Sequence, residues 1–237
     1  NYDKLVEDVE IINEEEMLDQ LAQAASGELE TFNYMDPSDI KLVTSGQAFG
    51  TDRYFVGQLI TRGVNANSII EYTTESYDEA SDELRKEMDD KYMAAAVNVL
   101  KRNFNSSSTH TGKLMRRNWL QVKPVDNILA VGNILAPGGN SRKKNKETGE
   151  HYKNLAGKQV VDGGTGVTVE MAIQAGKNVY VLHEGSLIGN KYNQGWYQWD
   201  YKTNTFVKMV KPMTLPDNFA AIGTTKINPF GESGIRT

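Results

Sequence analysis

The chain contains no cysteine. That removes disulfide frameworks, thiolate nucleophiles and cysteine-based metal sites, and it suits a reducing compartment. No apolar run approaches the roughly 18 to 20 residues that a bilayer-spanning helix requires, and no basic segment followed by an apolar core opens the chain. The expected location is therefore the cytoplasm, with no membrane partner. Positive charge is in deficit: 26 Lys and Arg stand against 31 Asp and Glu, a formal net charge of −5. A general nucleic-acid binder carries the opposite balance, so nucleic acid is not the expected partner, although local basic clusters can still hold phosphates. Histidine is scarce, and the three present, His110, His151 and His183, lack the close spacing of a zinc site. No metal is expected. There is no G-x-S-x-G nucleophile elbow, no G-x-x-x-x-G-K-[ST] phosphate loop and no complete G-x-G-x-x-G, and no cofactor is assigned.

What remains is an ordinary globular composition, 39% hydrophobic and 24% charged over 237 residues, long enough to bury a sizeable core without staples. Residues 1–36 are acidic and mixed, and Glu14 to Ala25 carries apolar residues at helical spacing, which predicts an N-terminal helical extension. From residue 37 onward, short apolar runs alternate with helical patterns. Ile40–Gly46 reads as the first strand and Thr51–Arg62 as a helix. Asn67–Thr74 reads as a β-branched strand, and Tyr77–Arg102 as one long helix with Met88, Tyr92, Ala95, Ala96 and Val99 as its buried stripe. Asn105–Thr111 is a polar loop rich in capping residues, Lys113–Val122 a helix, and Val125–Leu135 a buried strand. Val160–Asp162 is expected to resume the sheet, followed by a helix over Thr165–Ala175 and a strand over Asn178–His183. Asn218–Thr225 ends the series with another apolar run.

This alternation predicts an α/β fold: a Rossmann-like, mostly parallel sheet flanked by helices, in a single domain spanning 37–237. Two elaborations interrupt it. Residues 137–158 hold five lysines, Arg142 and four glycines with almost no apolar side chains, a long basic insert that reads as an exposed excursion. Residues 195–209 alternate aromatics around a Lys-Thr-Asn turn, a β-hairpin signature.

Two glycine turns stand out. Thr44–Asp52 (TSGQAFGTD) follows the first strand. Asp162–Glu170 (DGGTGVTVE) precedes the Thr165 helix. In an open α/β sheet, ligands collect at the C-terminal ends of strands. Glycine lets a ligand approach the backbone closely, and the first-turn amides of the following helix are unpaired and electropositive. Phosphate is the natural guest. Gly46, Gly50, Gly163, Gly164 and Gly166 are candidate binding residues on that ground. Ser45, Gln47, Thr51, Thr165 and Thr168 could supply further donors, and Asp52 could hold ribose hydroxyls or cap its own helix.

GGTGVTVE at 163–170 resembles the GGxGTxxE motif of LOG-like phosphoribohydrolases, within the SLOG superfamily of LOG/DprA-like, Rossmann-type nucleotide-binding proteins. Glu170 matches the motif glutamate, and Val167 stands at its threonine position with Thr168 beside it. SGQAFGTDRYF (45–55) is similar to the group's first loop, often SGGAxGAD, with Gln47 replacing the second glycine. KLMRRNW (113–119) is similar to the family's arginine-bearing helix, with Arg116 or Arg117 as the match. The resemblance implies a nucleotide pocket between the two turns and this helix. It also implies catalytic roles for Glu170 and Arg117 if N-glycosidic hydrolysis is retained: a carboxylate near a developing oxocarbenium carbon and a cation on the 5′-phosphate. Asp162 replaces the family's proline and would repel an anion unless it binds sugar hydroxyls or a metal. The 137–158 insert also lengthens the distance in sequence between Arg117 and Gly163.

Three readings follow. The first is a sensor or sequestering protein that binds a nucleotide or nucleotide-derived molecule. The second is a LOG-like phosphoribohydrolase, and the third a structural or assembly protein that retains the fold. Family members often dimerise, so a homo-oligomer is compatible with each. His183 and Glu184, at a strand end, are lesser candidates. Arg142–Lys146 reads as a solvated basic run able to close over a phosphate. Trp196 and Trp199 should face opposite sides of the hairpin, with core packing favoured over base stacking.

Overall fold

In the computed structural model the described residues are 36–47, 50–101, 106–145, 147–185, 194–210, 214–224 and 235. The expected helix over Glu14–Ala25, and all but the last residue of the N-terminal extension, lie outside them. In chain order the strands are β1 (Leu42–Ser45), β2 (Ile69–Glu71), β3 (Asn127–Gly132), β4 (Ile134–Leu135), β5 (Asn140–Lys144), β6 (His151–Lys153), β7 (Val160–Val161), β8 (Asn178–His183), β9 (Gly195–Asp200), β10 (Thr205–Lys208) and β11 (Asn218–Gly223). The α-helices are α1 (Thr51–Thr61), α2 (Thr74–Asp78), α3 (Asp82–Lys86), α4 (Ala94–Leu100), α5 (His110–Val122) and α6 (Gly163–Gln174).

The central sheet has seven strands in the order β10-β9-β8-β3-β11-β1-β2. Pairing is parallel from β8 through β3, β11 and β1 to β2, and antiparallel from β8 to β9 and β9 to β10. This is the Rossmann-like α/β arrangement, with the hairpin extending one edge. Alternation along the strands divides the core into two layers. Leu129, Val131, Leu182, Phe219 and Ala221 pack with Phe55 and Leu59 of α1 on one face. Ile128, Ala130, Val179, Val181, Ala220 and Ile222 pack on the other with α5, α6 and the segment before α4. Continuous apolar runs arise because both faces of each central strand are covered. Trp199 belongs to the second layer and Trp196 packs against the first, so the two indoles do face opposite sides.

The structure differs from the sequence reading at four places. The long helix expected over Tyr77–Arg102 is broken into α2, α3, a π-helical segment over Glu87–Met93 and α4. Widening the turn rotates the buried face by about one residue, so Met88, Tyr92, Met93, Ala96 and Leu100 are buried in place of the expected Ala95 and Val99. The apolar run 125–135 is divided at Asn133, which is buried and accepts the Asp162 N–H through its carbonyl at 2.8 Å. Consequently Val160–Val161 does not resume the main sheet: β7 pairs antiparallel with β4 in a separate ribbon. The insert is not irregular either. β5 and β6 form their own antiparallel ribbon. Its stem is closed by Asn154, whose Nδ2 donates to the carbonyls of Leu135, Ala136 and Lys158 at 3.1, 3.0 and 2.7 Å.

Candidate functional site

A cavity of about 930 Å³ lies over the C-terminal ends of β1 and β11. Its walls are the turn after β1, one face of α5, the start of α6, the basic ribbon and the end of β11. Of the residues singled out in the sequence, Gly46, Gln47, Asp52 and Arg117 line it, as do Gly163, Gly164, Thr165 and Thr168. Ser45, Gly50, Thr51, Arg116, Gly166 and Glu170 are not among the lining residues. The two glycine turns therefore meet, although the second follows β7 of the small ribbon and not a strand of the main sheet.

Arg117 is the central cation. It is only 3% exposed. Its Nη2 donates to the Gly46 carbonyl at 2.7 Å, while Nε and Nη1 have no hydrogen-bond partner. Burial pulls the guanidinium down to about 10, with the nearby Asp52 carboxylate acting in the opposite sense. It stays charged at neutral pH. The contact explains Gly46: a Cβ there would sit 2.0 Å from Arg117 Nη1. A buried cation with two unpaired N–H groups is costly unless an acceptor arrives.

The first turn does less than its sequence suggests. The Thr51 amide, first in α1, donates to the Thr224 carbonyl at 3.1 Å. Asp52 accepts the Gly223 N–H through Oδ1 at 2.9 Å. These bonds join α1 to the end of β11 and remove the Thr51 amide from any anion site. Gln47 has φ +55°, the left-handed region that glycine adopts most easily, and its Nε2 bonds Glu71 Oε2 at 3.1 Å.

The second turn is more open. Asp162 occupies the N-cap of α6 but makes no side-chain cap. Its carboxylate instead accepts Ser141 Oγ at 2.6 Å and the Arg142 amide at 2.9 Å. Asp162 thus lines the cavity with its carboxylate bonded to the basic ribbon, which it anchors. The helix begins at Gly163, two residues before its expected start. First-turn amides have no acceptor inside their own helix, and Gly163, Gly164 and Thr165 are residues that line the cavity. Gly166 has a packing role: a Cβ there would lie 1.9 Å from the Val161 carbonyl oxygen.

Glu170 and Arg116 are committed elsewhere. Glu170, 2% exposed, is paired with Lys158 Nζ at 3.1 Å and accepts Gln174 Nε2 at 2.8 Å. Two residues past the lining Thr168 but not itself at the cavity, it faces the Lys158–Trp199 contact. Arg116 Nε is ion-paired with Asp89, and its Nη1 donates to the Gly112 carbonyl at 3.0 Å. His183 Nδ1 accepts the Ile134 amide at 3.1 Å, and burial pulls the imidazole below its usual range. Glu184 is fully buried, 3.5 Å from Arg142 Nη2.

Asn118 and Gln121 line the cavity without having been singled out in the sequence, whereas Arg142 and Lys143 belong to the basic run read there as able to close over a phosphate. Leu114, Arg117, Asn118 and Gln121 are spaced i, i+3, i+4, i+7, a single helix face. Assigning Arg117 to the site already implied the other two polar residues. For the ribbon, the contacts of Asp162 with Ser141 and Arg142, and of Glu184 with Arg142, hold the basic run at the cavity.

Comparison with known proteins adds no relative: no family model, no curated protein and no solved structure matches the chain.

Proposed function

We propose that this protein binds a nucleotide or nucleotide-derived small molecule, as a sensor or a sequestering protein, on a SLOG-type architecture. The observation that carries the reading is Arg117, a buried, charged guanidinium with two unpaired N–H groups at a cavity. The first-turn amides of α6 share that cavity. A phosphate would satisfy both, through charge-assisted bonds to the fork and backbone bonds at the helix start. The volume is at the upper end of the range typical of small-molecule sites. Such a ligand is abundant in the cytoplasm, the compartment proposed for the protein.

Binding is favoured over turnover because the carboxylate that hydrolysis would use, Glu170, is engaged by Lys158 and Gln174 outside the cavity. The test is to denature the purified protein and identify released small molecules by mass spectrometry, alongside thermal shifts with nucleoside monophosphates. A ligand at ~100 Kd stabilises by about 2.7 kcal/mol, roughly 5–10 °C for a chain of this size. The expected result is a shift with the nucleotide recovered intact. Glu170→Ala should leave the ligand-induced shift in place. Release of free base that Glu170→Ala abolishes would establish the hydrolase instead. No co-purified ligand and no shift across the panel would refute binding.

A further inference from the structure

Gln121 is 1% exposed and lines the cavity, yet its Oε1 has no hydrogen-bond partner. The rest of the residue is fixed. Its backbone carbonyl accepts Thr44 Oγ1 at 2.6 Å, and its Nε2 donates to Asn118 Oδ1 at 3.1 Å. That relay sets both amides: Asn118 is left with its NH₂ as a donor, and Gln121 with Oε1 as an acceptor. The two residues are three apart on α5, so they sit on the same face. Arg117 lies on that face too, four residues before Gln121, or about 6 Å along the helix axis. A buried acceptor without a partner needs an explanation, and here the cavity provides one.

We propose that Asn118 and Gln121 form the base-reading subsite of the pocket, taking the hydrogen-bonding edge of a nucleobase while Arg117 and the start of α6 hold the phosphate. A side-by-side donor and acceptor is the amide pattern that meets a base edge, where neighbouring ring and exocyclic atoms alternate in the same way. The subsite rests on the nucleotide reading above. It adds a neutral polar contact that neither a bare phosphate nor a sugar phosphate would use.

The test uses Gln121→Met, close in volume but without the amide, with AMP, GMP, CMP and UMP, ribose 5-phosphate and inorganic phosphate as probes. Affinities are measured calorimetrically. Gln121→Met should weaken the best-bound nucleotide roughly tenfold or more and leave ribose 5-phosphate within about twofold. The melting temperature of the unliganded variant should not fall, because the substitution removes an unpaired buried acceptor along with the relay bond. Asn118→Leu, a second variant that leaves Gln121 in place, should show the same split between nucleotide and sugar phosphate. Equal weakening for ribose 5-phosphate would move the contact to the sugar and overturn the base assignment. Unchanged nucleotide affinity, or a lower melting temperature with an unchanged ligand-induced shift, would make Gln121 structural and overturn it as well. If wild-type protein binds the sugar phosphate but gains nothing from any base, the subsite fails while the phosphate site stands. If no probe binds, both fail.

Discussion

The two glycine turns resemble each other in sequence and differ in use. In the first, the Thr51 amide and the Asp52 carboxylate are taken by Thr224 and Gly223, so the turn ties α1 to β11 and contributes a carbonyl that holds Arg117. In the second, the residue best placed to cap the helix, Asp162, turns its carboxylate to Ser141 and Arg142. A glycine-rich strand-to-helix turn therefore does not define an anion cradle. What matters is which neighbours compete for its amides, and those neighbours come from distant parts of the chain.

The largest effect separating the turns should come from Arg117, the cation held by the first. Arg117→Met should cost nucleotide binding about 3 kcal/mol, roughly 100-fold, measured by calorimetry, while leaving unliganded stability unchanged or raised, because an under-paired buried charge is gone. Next, alanine at Gly46 and Gly166 should act in opposite ways. Gly166→Ala meets the Val161 carbonyl, which is backbone and cannot yield, and should lower unfolding stability by about 1–3 kcal/mol. Gly46→Ala meets the end of a side chain, so it should displace the guanidinium and weaken binding more than it weakens the fold. Equal stability losses at both positions would erase the distinction between a turn that positions a ligand group and one that packs against a strand.

Asp162→Ala should release the ribbon from the second turn. Faster amide exchange across β5 and β6, with the central sheet unaffected, is the expected signature. An Asp162→Ala ribbon as protected as wild type would show that the Asn154 stem and the Arg142–Glu184 pair hold it without Asp162.

The ribbon that carries the second turn is also pH-sensitive through His183, whose Nδ1 accepts the Ile134 amide. Burial lowers its pKa below the ordinary histidine value of 6.5. The unfolded chain therefore takes up this proton first as pH falls. The stability held by neutral His183 is intact above pH 6.5 and is lost as pH drops through the lower, folded-state value. His183→Asn, which keeps an acceptor, should flatten that acid limb in urea titrations.

The smallest effect belongs to Gln47, which holds φ +55°. Gln47→Gly should relieve about 1 kcal/mol of left-handed strain, partly offset by greater freedom of the unfolded chain and by loss of the Glu71 bond. A net change within ±1 kcal/mol in denaturant midpoints is expected.

Much of this was legible in the chain. Asn178–His183 reads as a strand and is β8, Gly195–Met209 reads as a hairpin and forms β9 and β10, and the Trp196/Trp199 alternation follows from period two. Arg117 was legible as a candidate, and it lines the cavity on the same α5 face as Asn118 and Gln121. Less legible were the π turn at Glu87–Met93, which shifts a helical stripe without changing its composition, and the break at Asn133, where a buried polar side chain ends an apolar run. Glu170 shows the limit most clearly: it fits its motif position, yet lies beside Lys158.

The sequence by itself determined most strands of the central sheet and the helices α1, α5 and α6, because apolar periodicity and capping act within a few residues. It also determined that two glycine turns would each precede a helix. Only the tertiary structure decided that β11, last of the described strands, would lie between β1 and β3, bringing Gly223 against α1. It likewise decided that Asp162 would face the ribbon and that Arg117 would keep two unpaired N–H groups at the cavity. The reason is that hydrogen-bond satisfaction is a property of neighbours in space, and for these groups the neighbours lie from about 20 to 170 residues away along the chain.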